Sequence, residues 1–192
     1  MSTTENMKSK MLMPEFTIDT ITTENGQEIP GIKRMFDIAL ALKDSVMQWG
    51  APGIGKSQGV LQWNQEKVEE YNNRIANGEN IKPWNPVVCD VRLSMKEPVD
   101  MVGVPIPSKD ENGNTVTVWA TPSMWPKDNG QYAGGTIHLD EMNQGQAAIL
   151  NAAFQLVQDR ALGEYKVPEG YLIIGLCLYS ISVKLTLSFS FE

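Results

Sequence analysis

Gly50, Ala51, Pro52, Gly53, Ile54, Gly55, Lys56 and Ser57 run in the pattern G-x-x-x-x-G-K-[ST], which suits a backbone that must wrap around phosphate. Glycines let the chain curl so that successive N–H groups face phosphate oxygens. A helix opening at Lys56 adds a partial positive charge of about half a unit at the same place. Lys56 is expected to contact the β- and γ-phosphates, and Ser57 to offer its hydroxyl to Mg²⁺, a cation that prefers oxygen ligands. With Gln58, the next residue, the expected binding set runs from Gly50 to Gln58. A glycine turn that merely caps a helix is the plainer explanation, but a chance match at eight positions between a strand and a helix is improbable.

Gly135-Thr136-Ile137-His138-Leu139-Asp140-Glu141 is an apolar run ending in two adjacent carboxylates, and strand alternation gives the two different directions. Asp140 is expected to orient the magnesium shell opposite Ser57. Glu141 is expected to hold and polarise the water that attacks the γ-phosphate, so Glu141 and Lys56 are the expected catalytic residues. An isolated Asp-Glu pair is usually solvated surface. Here it follows a buried-looking strand and accompanies a complete phosphate loop, which favours hydrolysis. A phosphotransferase is the alternative enzyme, but it needs a mobile basic lid and no basic cluster is evident. No Asn-Lys-x-Asp occurs, which favours adenine over guanine.

The elements that must hold these residues can be read from periodicity. Ile32, Met35, Phe36, Ala39 and Leu40 share one helical face behind Pro30, and that helix is expected to end near Lys43. A strand over residues 45–49 enters the loop, and a helix over about 57–75 leaves it before Asn77-Gly78. Further strands are expected at residues 86–93, 136–139 and 171–177, with a short one near 16–21. Residues 102–106 and 115–120 are expected to form a β-hairpin around Asn112-Gly113. Asn143 is expected to cap a helix from Gln144 to about Arg160 whose Ala147, Leu150, Phe154 and Val157 share a face. Alternating strands and helices imply an α/β fold, doubly wound around a mostly parallel sheet, with ligands at the C-terminal strand ends.

The chain has 192 residues, 42% hydrophobic and 20% charged, enough for one α/β core. Net charge is −7 and the pI about 4.8, with no long basic stripe, so no nucleic-acid partner is expected. Cys89 and Cys177 lack metal or disulfide spacing and are expected as reduced core thiols. His138 and the five tryptophans are expected in packing. No signal peptide or 18-residue apolar run occurs, so no membrane association and a cytoplasmic location are expected.

Residues 49–57, Leu139 to Asn143 and the stretch from Gln155 to Gly170 resemble the MoxR-like AAA+ ATPases. The segments Asp90-Val91-Arg92-Leu93-Ser94, Pro98-Val99-Asp100, Ala120-Thr121-Pro122-Ser123-Met124-Trp125-Pro126 and Leu162-Gly163-Glu164-Tyr165 look like that family as well. The resemblance covers residues 30–176. It implies a P-loop ATPase (AAA+) core working as a homo-oligomeric ring, commonly a hexamer, that remodels client proteins, often beside a partner with a von Willebrand factor A domain. It also implies a sensor asparagine after the fourth strand and a helical lid with interface arginines, the lid being needed for the ring.

At the sensor position the chain reads Leu178. Tyr179, Ile181, Val183, Leu185, Leu187, Phe189 and Phe191 then alternate with polar residues at strand period. Three segments are therefore expected: a loose arm over residues 1–28, a P-loop core over 29–177, and an atypical strand over 178–192. The last is read as a replaced or frameshifted end, or else as a genuine edge strand. The expected function is Mg-dependent ATP hydrolysis, slow in this chain. A nucleotide-binding fragment without turnover is the non-enzyme alternative.

Overall fold

The protein is described here from a computed structural model, which covers residues 20–22, 28–178 and 184–188. A small antiparallel pair, β1 (Thr20–Thr22) and β2 (Glu28–Pro30), leads into helix α1 (Gly31–Leu42). Strand β3 (Ser45–Gly50) then runs into the glycine loop, and helix α2 (Lys56–Ala76) leaves it. The α2 helix stops where expected, with Asn77 as its C-cap and Gly78 at φ +92°.

After α2 the chain crosses to the far side of the sheet and forms β4 (Cys89–Arg92), which a 3-10 turn over Leu93–Met95 and helix α3 (Pro98–Val102) follow. The strand expected over residues 86–93 is thus shorter. The α3 helix was not expected, although Glu97 and Asp100 cap it reciprocally and Pro98 occupies its first turn. The hairpin forms from β5 (Val104–Lys109) and β6 (Thr115–Ala120), so residue 102 belongs to α3 rather than to the hairpin.

Strand β7 (Gly135–Asp140), helix α4 (Ala147–Asp159), a two-residue pair β8 (Ala161–Leu162) and β9 (Tyr165–Lys166), and strand β10 (Tyr171–Leu178) complete the core. The last described strand is β11 (Lys184–Ser188). The sheet order is β11-β3-β10-β7-β4: β3, β10, β7 and β4 run parallel, and β11 pairs antiparallel with β3. This is an α/β fold with a mostly parallel central sheet. The remainder of the expected strand over 179–191, and residues 16–19 of the expected N-terminal strand, lie outside the described residues.

Alternation along β10 divides the core into two layers. Leu172, Ile174 and Leu176 pack with Phe36, Ala39, Val60 and Trp63 of α1 and α2. Ile173 and Cys177 pack on the other face with Ile149, Ala153, Leu156 and Val157 of α4. Of the expected face of α4, Val157 is buried and Leu150 packs against the core, but Phe154 is 51% exposed and Ile149, Ala153 and Leu156 are fully buried. Among the described residues no helix is long and apolar enough to cross a membrane.

A buried amide locks α2 to the sheet. Asn64 Oδ1 accepts from Trp84 Nε1 at 2.9 Å and from Thr136 Oγ1 at 2.7 Å, and its Nδ2 donates to the Pro86 carbonyl at 3.3 Å. Satisfied buried polar groups stabilise modestly, while a stranded one costs more. Thr136→Val removes one donor from Asn64, so unfolding should require roughly 1–2 kcal/mol less. Thermal denaturation should then show Tm lower by roughly 2–8 °C for a chain of this length. An unchanged Tm would mean that this bond contributes nothing.

Candidate functional site

The register of the parallel strands brings the two sequence motifs to one sheet edge. Ile174 of β10 pairs with Val46 of β3 on one side and with His138 of β7 on the other. One residue further along, Gly175 pairs with Met47 and with Leu139, the residue before Asp140, and Gly50 pairs with Leu178 at the rim. The loop strand and the carboxylate strand are therefore separated by one strand, roughly 10 Å across. Because Ile137 and Leu139 face the α4 layer, Thr136, His138 and Asp140 face α2. Asp140 is thus on the side of the sheet from which the glycine loop rises.

The loop conformation depends on glycine at two points. Gly53 has φ +77° and Gly55 φ +83°, the left-handed region that side chains with a Cβ rarely adopt. Gly55 is the N-cap of α2 and provides no side-chain cap, so the first-turn N–H groups are left for another acceptor. Pro52, Gly53, Ile54 and Gly55 are exposed, Ala51 and Ser57 half-buried, Gln58 exposed and Gly50 buried.

Lys56 is 8% exposed and folds back so that Nζ donates to the carbonyls of Gly50 at 2.8 Å and Ala51 at 2.7 Å. Burial pushes its ammonium below the ordinary lysine range, and the nearby Asp140 carboxylate and Cys177 sulfur oppose that push. The strand order places the two motifs near one another, with β3 and β7 on either side of β10. Burial in turn raises the Cys177 thiol to about 11, so it stays protonated and unreactive at neutral pH. Cys89 is likewise raised to about 12, and both cysteines are free thiols.

Asp140 is half-buried, and its Oδ1 accepts from the Glu141 N–H at 2.8 Å. Glu141 leaves the strand at φ +56°, uncommon for a residue with a side chain and worth about 1 kcal/mol of strain or more. The backbone beyond it is tied to β10. Met142 N–H donates to the Leu176 carbonyl at 2.9 Å. The Asn143 side chain donates to the Leu178 carbonyl at 2.7 Å and accepts from the Leu178 N–H at 3.0 Å.

Those bonds correct the expected helix cap at Asn143. The helix begins at Ala147 with Gln146 as N-cap, and the amide of Asn143 extends the β7–β10 ladder instead. The Glu141 carboxylate accepts from Ser94 Oγ, and its Oε1 lies 3.9 Å from Arg92 Nε. His138, expected as packing alone, is buried and also hydrogen-bonded, with Nδ1 2.8 Å from Asp90 Oδ1. That bond holds the Asp90 carboxyl below its usual range. The Nε2 of His138 has no partner among the described residues.

Sequence reading missed Ser94, Arg92 and Asn143 as neighbours of the carboxylates. Nothing local marks them, since they lie on other strands or past a strand end. Only the pairing of β4 with β7 brings Ser94 and Arg92 beside Glu141.

No family model matches the chain, and no curated protein matches it. Among solved structures the chain is similar to NtrX from Brucella abortus, with a TM-score of 0.41 and 15% identity. The match covers 93% of this chain, which spans 34% of that protein's length. The expected membership of the MoxR-like AAA+ family is corrected: no family model carries it, and NtrX is a solved structure that the chain is similar to. The hexameric ring and the von Willebrand factor A partner rested on that resemblance and lose its support.

Proposed function

We propose that the chain is a P-loop nucleotide-binding protein that binds Mg-ATP and hydrolyses it. The observation that carries this reading is Lys56, buried at the base of a loop with two left-handed glycines that follows β3, one strand away from the strand ending in Asp140. A buried ammonium beside an uncapped helix end suits an anion with several charges, and phosphate is the group such a loop cradles. The donors that would hold magnesium are the Ser57 hydroxyl and the Asp140 carboxylate, and the cation would supply charge neutralisation there.

The roles of the chain's own residues follow from their surroundings. Loop N–H groups and the start of α2 hold phosphate oxygens. Lys56 exchanges its two carbonyl partners for β- and γ-phosphate oxygens, a trade of neutral acceptors for charged ones. Glu141 orients and polarises the attacking water as general base. Hydrolysis is favoured over transfer to a small acceptor because Glu141 adjoins Asp140 at the strand end, whereas a phosphotransferase needs an acceptor pocket and a basic lid.

Asp140→Asn keeps the shape of the side chain and removes its charge, so the gain in ATP affinity on adding magnesium should fall by about tenfold. Titration calorimetry with ATP in excess magnesium and in excess chelator checks this. An undiminished magnesium effect in Asp140→Asn would remove Asp140 from the metal site, and no saturable ATP binding by the parent chain would remove the whole reading.

A further inference from the structure

In an asparagine-glycine pair the glycine nitrogen can attack the preceding side-chain amide, because no Cβ shields it and its backbone turns freely. The pair occurs four times, at Asn25, Asn77, Asn112 and Asn129, and the last three lie among the described residues. All three are exposed, so access to water does not distinguish them, but hydrogen bonding does. At the end of α2 the Gly78 N–H donates to the Ile75 carbonyl at 3.0 Å, and in the β5–β6 turn the Gly113 N–H donates to the Asp110 carbonyl at 3.0 Å. In the connection between β6 and β7 the Gly130 N–H has no partner among the described residues.

The Asn129 side chain is also set for the attack. Its Oδ1 accepts from the Gln131 N–H at 3.0 Å and its Nδ2 donates to Gln131 Oε1 at 3.3 Å, so the amide folds back along its own backbone toward Gly130. The Gln131 N–H polarises the carbonyl and points at the oxygen on which negative charge develops when Cγ is attacked. Gly130 has φ +69°, and a Cβ there would stand 3.5 Å from Lys82 Nζ. A cation is thus held near the nitrogen that must lose its proton.

We infer that Asn129 is a site of spontaneous deamidation in the folded protein, and that Asn77 and Asn112 are protected by the turns that engage their glycines. Base takes the Gly130 amide proton, the nitrogen bonds to Asn129 Cγ, and the Cγ–Nδ2 bond breaks as ammonia leaves with a proton from water. The product is a cyclic imide. Water then adds to one of its two carbonyls and opens it, giving an aspartyl residue or an isoaspartyl one whose main chain runs through the side-chain carbon. No oxidant or reductant is consumed. Either product adds a carboxylate ahead of β7, at the end of the sheet opposite the phosphate loop.

Peptide mapping by mass spectrometry of the full chain, aged in mildly alkaline buffer, follows the exchange of the amide –NH₂ for –OH at each asparagine. Fragmentation of the main chain separates aspartyl from isoaspartyl product. In the folded chain Asn129 should react about tenfold faster than Asn77 or Asn112, the factor expected for a nucleophile with no hydrogen bond to give up. In concentrated urea the three should react within about threefold of one another, because they share the same glycine neighbour and their turns are gone. Asn77 or Asn112 reacting as fast as Asn129 in the folded chain would overturn the inference. So would an equal preference for Asn129 in urea, which would trace it to local sequence. Isoaspartyl product should accompany aspartyl at position 129, and aspartyl product alone would mean hydrolysis by water without attack by the Gly130 nitrogen.

Discussion

Glu141→Gln should leave Mg-ATP bound at parental affinity and lower its hydrolysis by about 10²–10⁴-fold, the range contributed by a positioned general base. The amide keeps the size of the side chain and can still accept from Ser94 Oγ, so the fold and the loop have no reason to change. The carboxylate charge is the one thing lost. Because the contribution is made in the transition state, kcat should fall with KM for ATP nearly constant. Steady-state phosphate release beside calorimetric titration separates the two. A variant with parental turnover would remove Glu141 from catalysis, and one that no longer binds ATP would mean that Glu141 supports the loop itself.

Lys56→Ala should weaken Mg-ATP binding by roughly 10–100-fold, since contacts between charged groups are worth roughly 1.5–3 kcal/mol each. In the free protein the same side chain bonds the carbonyls of Gly50 and Ala51, so its removal also loosens the loop. The sheet below does not depend on it: Val46, Ile174 and Leu176 pack against α1 and α2 independently of Lys56. Circular dichroism should therefore be unchanged while titration calorimetry loses most of its signal. Parental affinity in Lys56→Ala would show that ATP binds elsewhere.

Much of this architecture could be read from the chain. The helix face of Ile32, Phe36 and Ala39, the strand into Gly50 and the apolar run before Asp140 are local patterns, and local periodicity survives folding. Gly53 and Gly55 could be read because a left-handed backbone selects glycine. The limits of β4 could not, since residues 86–88 carry strand-like side chains without a ladder partner at that end, the pairing starting only at Cys89 with Ile137. The α4 face was misjudged because two apolar stripes compete on that helix. Tertiary contact with α3 and β8 selects Ile149, Ala153 and Leu156, and leaves Phe154 in solvent.

The site divides in the same way. Loop and carboxylates are encoded by type and spacing, and their nearness follows from the expectation that parallel strands share a C-terminal edge. The details that set their chemistry come from elements distant in sequence: Ser94 and Arg92 on Glu141, Asn143 on Leu178, Asp90 on His138. A capping motif was expected at Asn143 because asparagine before a helix usually serves that end. Here the open backbone of Leu178 competes for the amide and wins with two bonds instead of one.

The loop from Gly50 to Gln58 should bind the terminal phosphates of a nucleotide. Titration calorimetry of the chain with ATP, ADP and AMP, each in excess magnesium, tests it most directly. One saturable site should bind ATP and ADP, with AMP weaker by at least about tenfold because it lacks the phosphates that Lys56 and the first turn of α2 would hold. AMP binding as tightly as ATP, or no binding of any of the three, would contradict it.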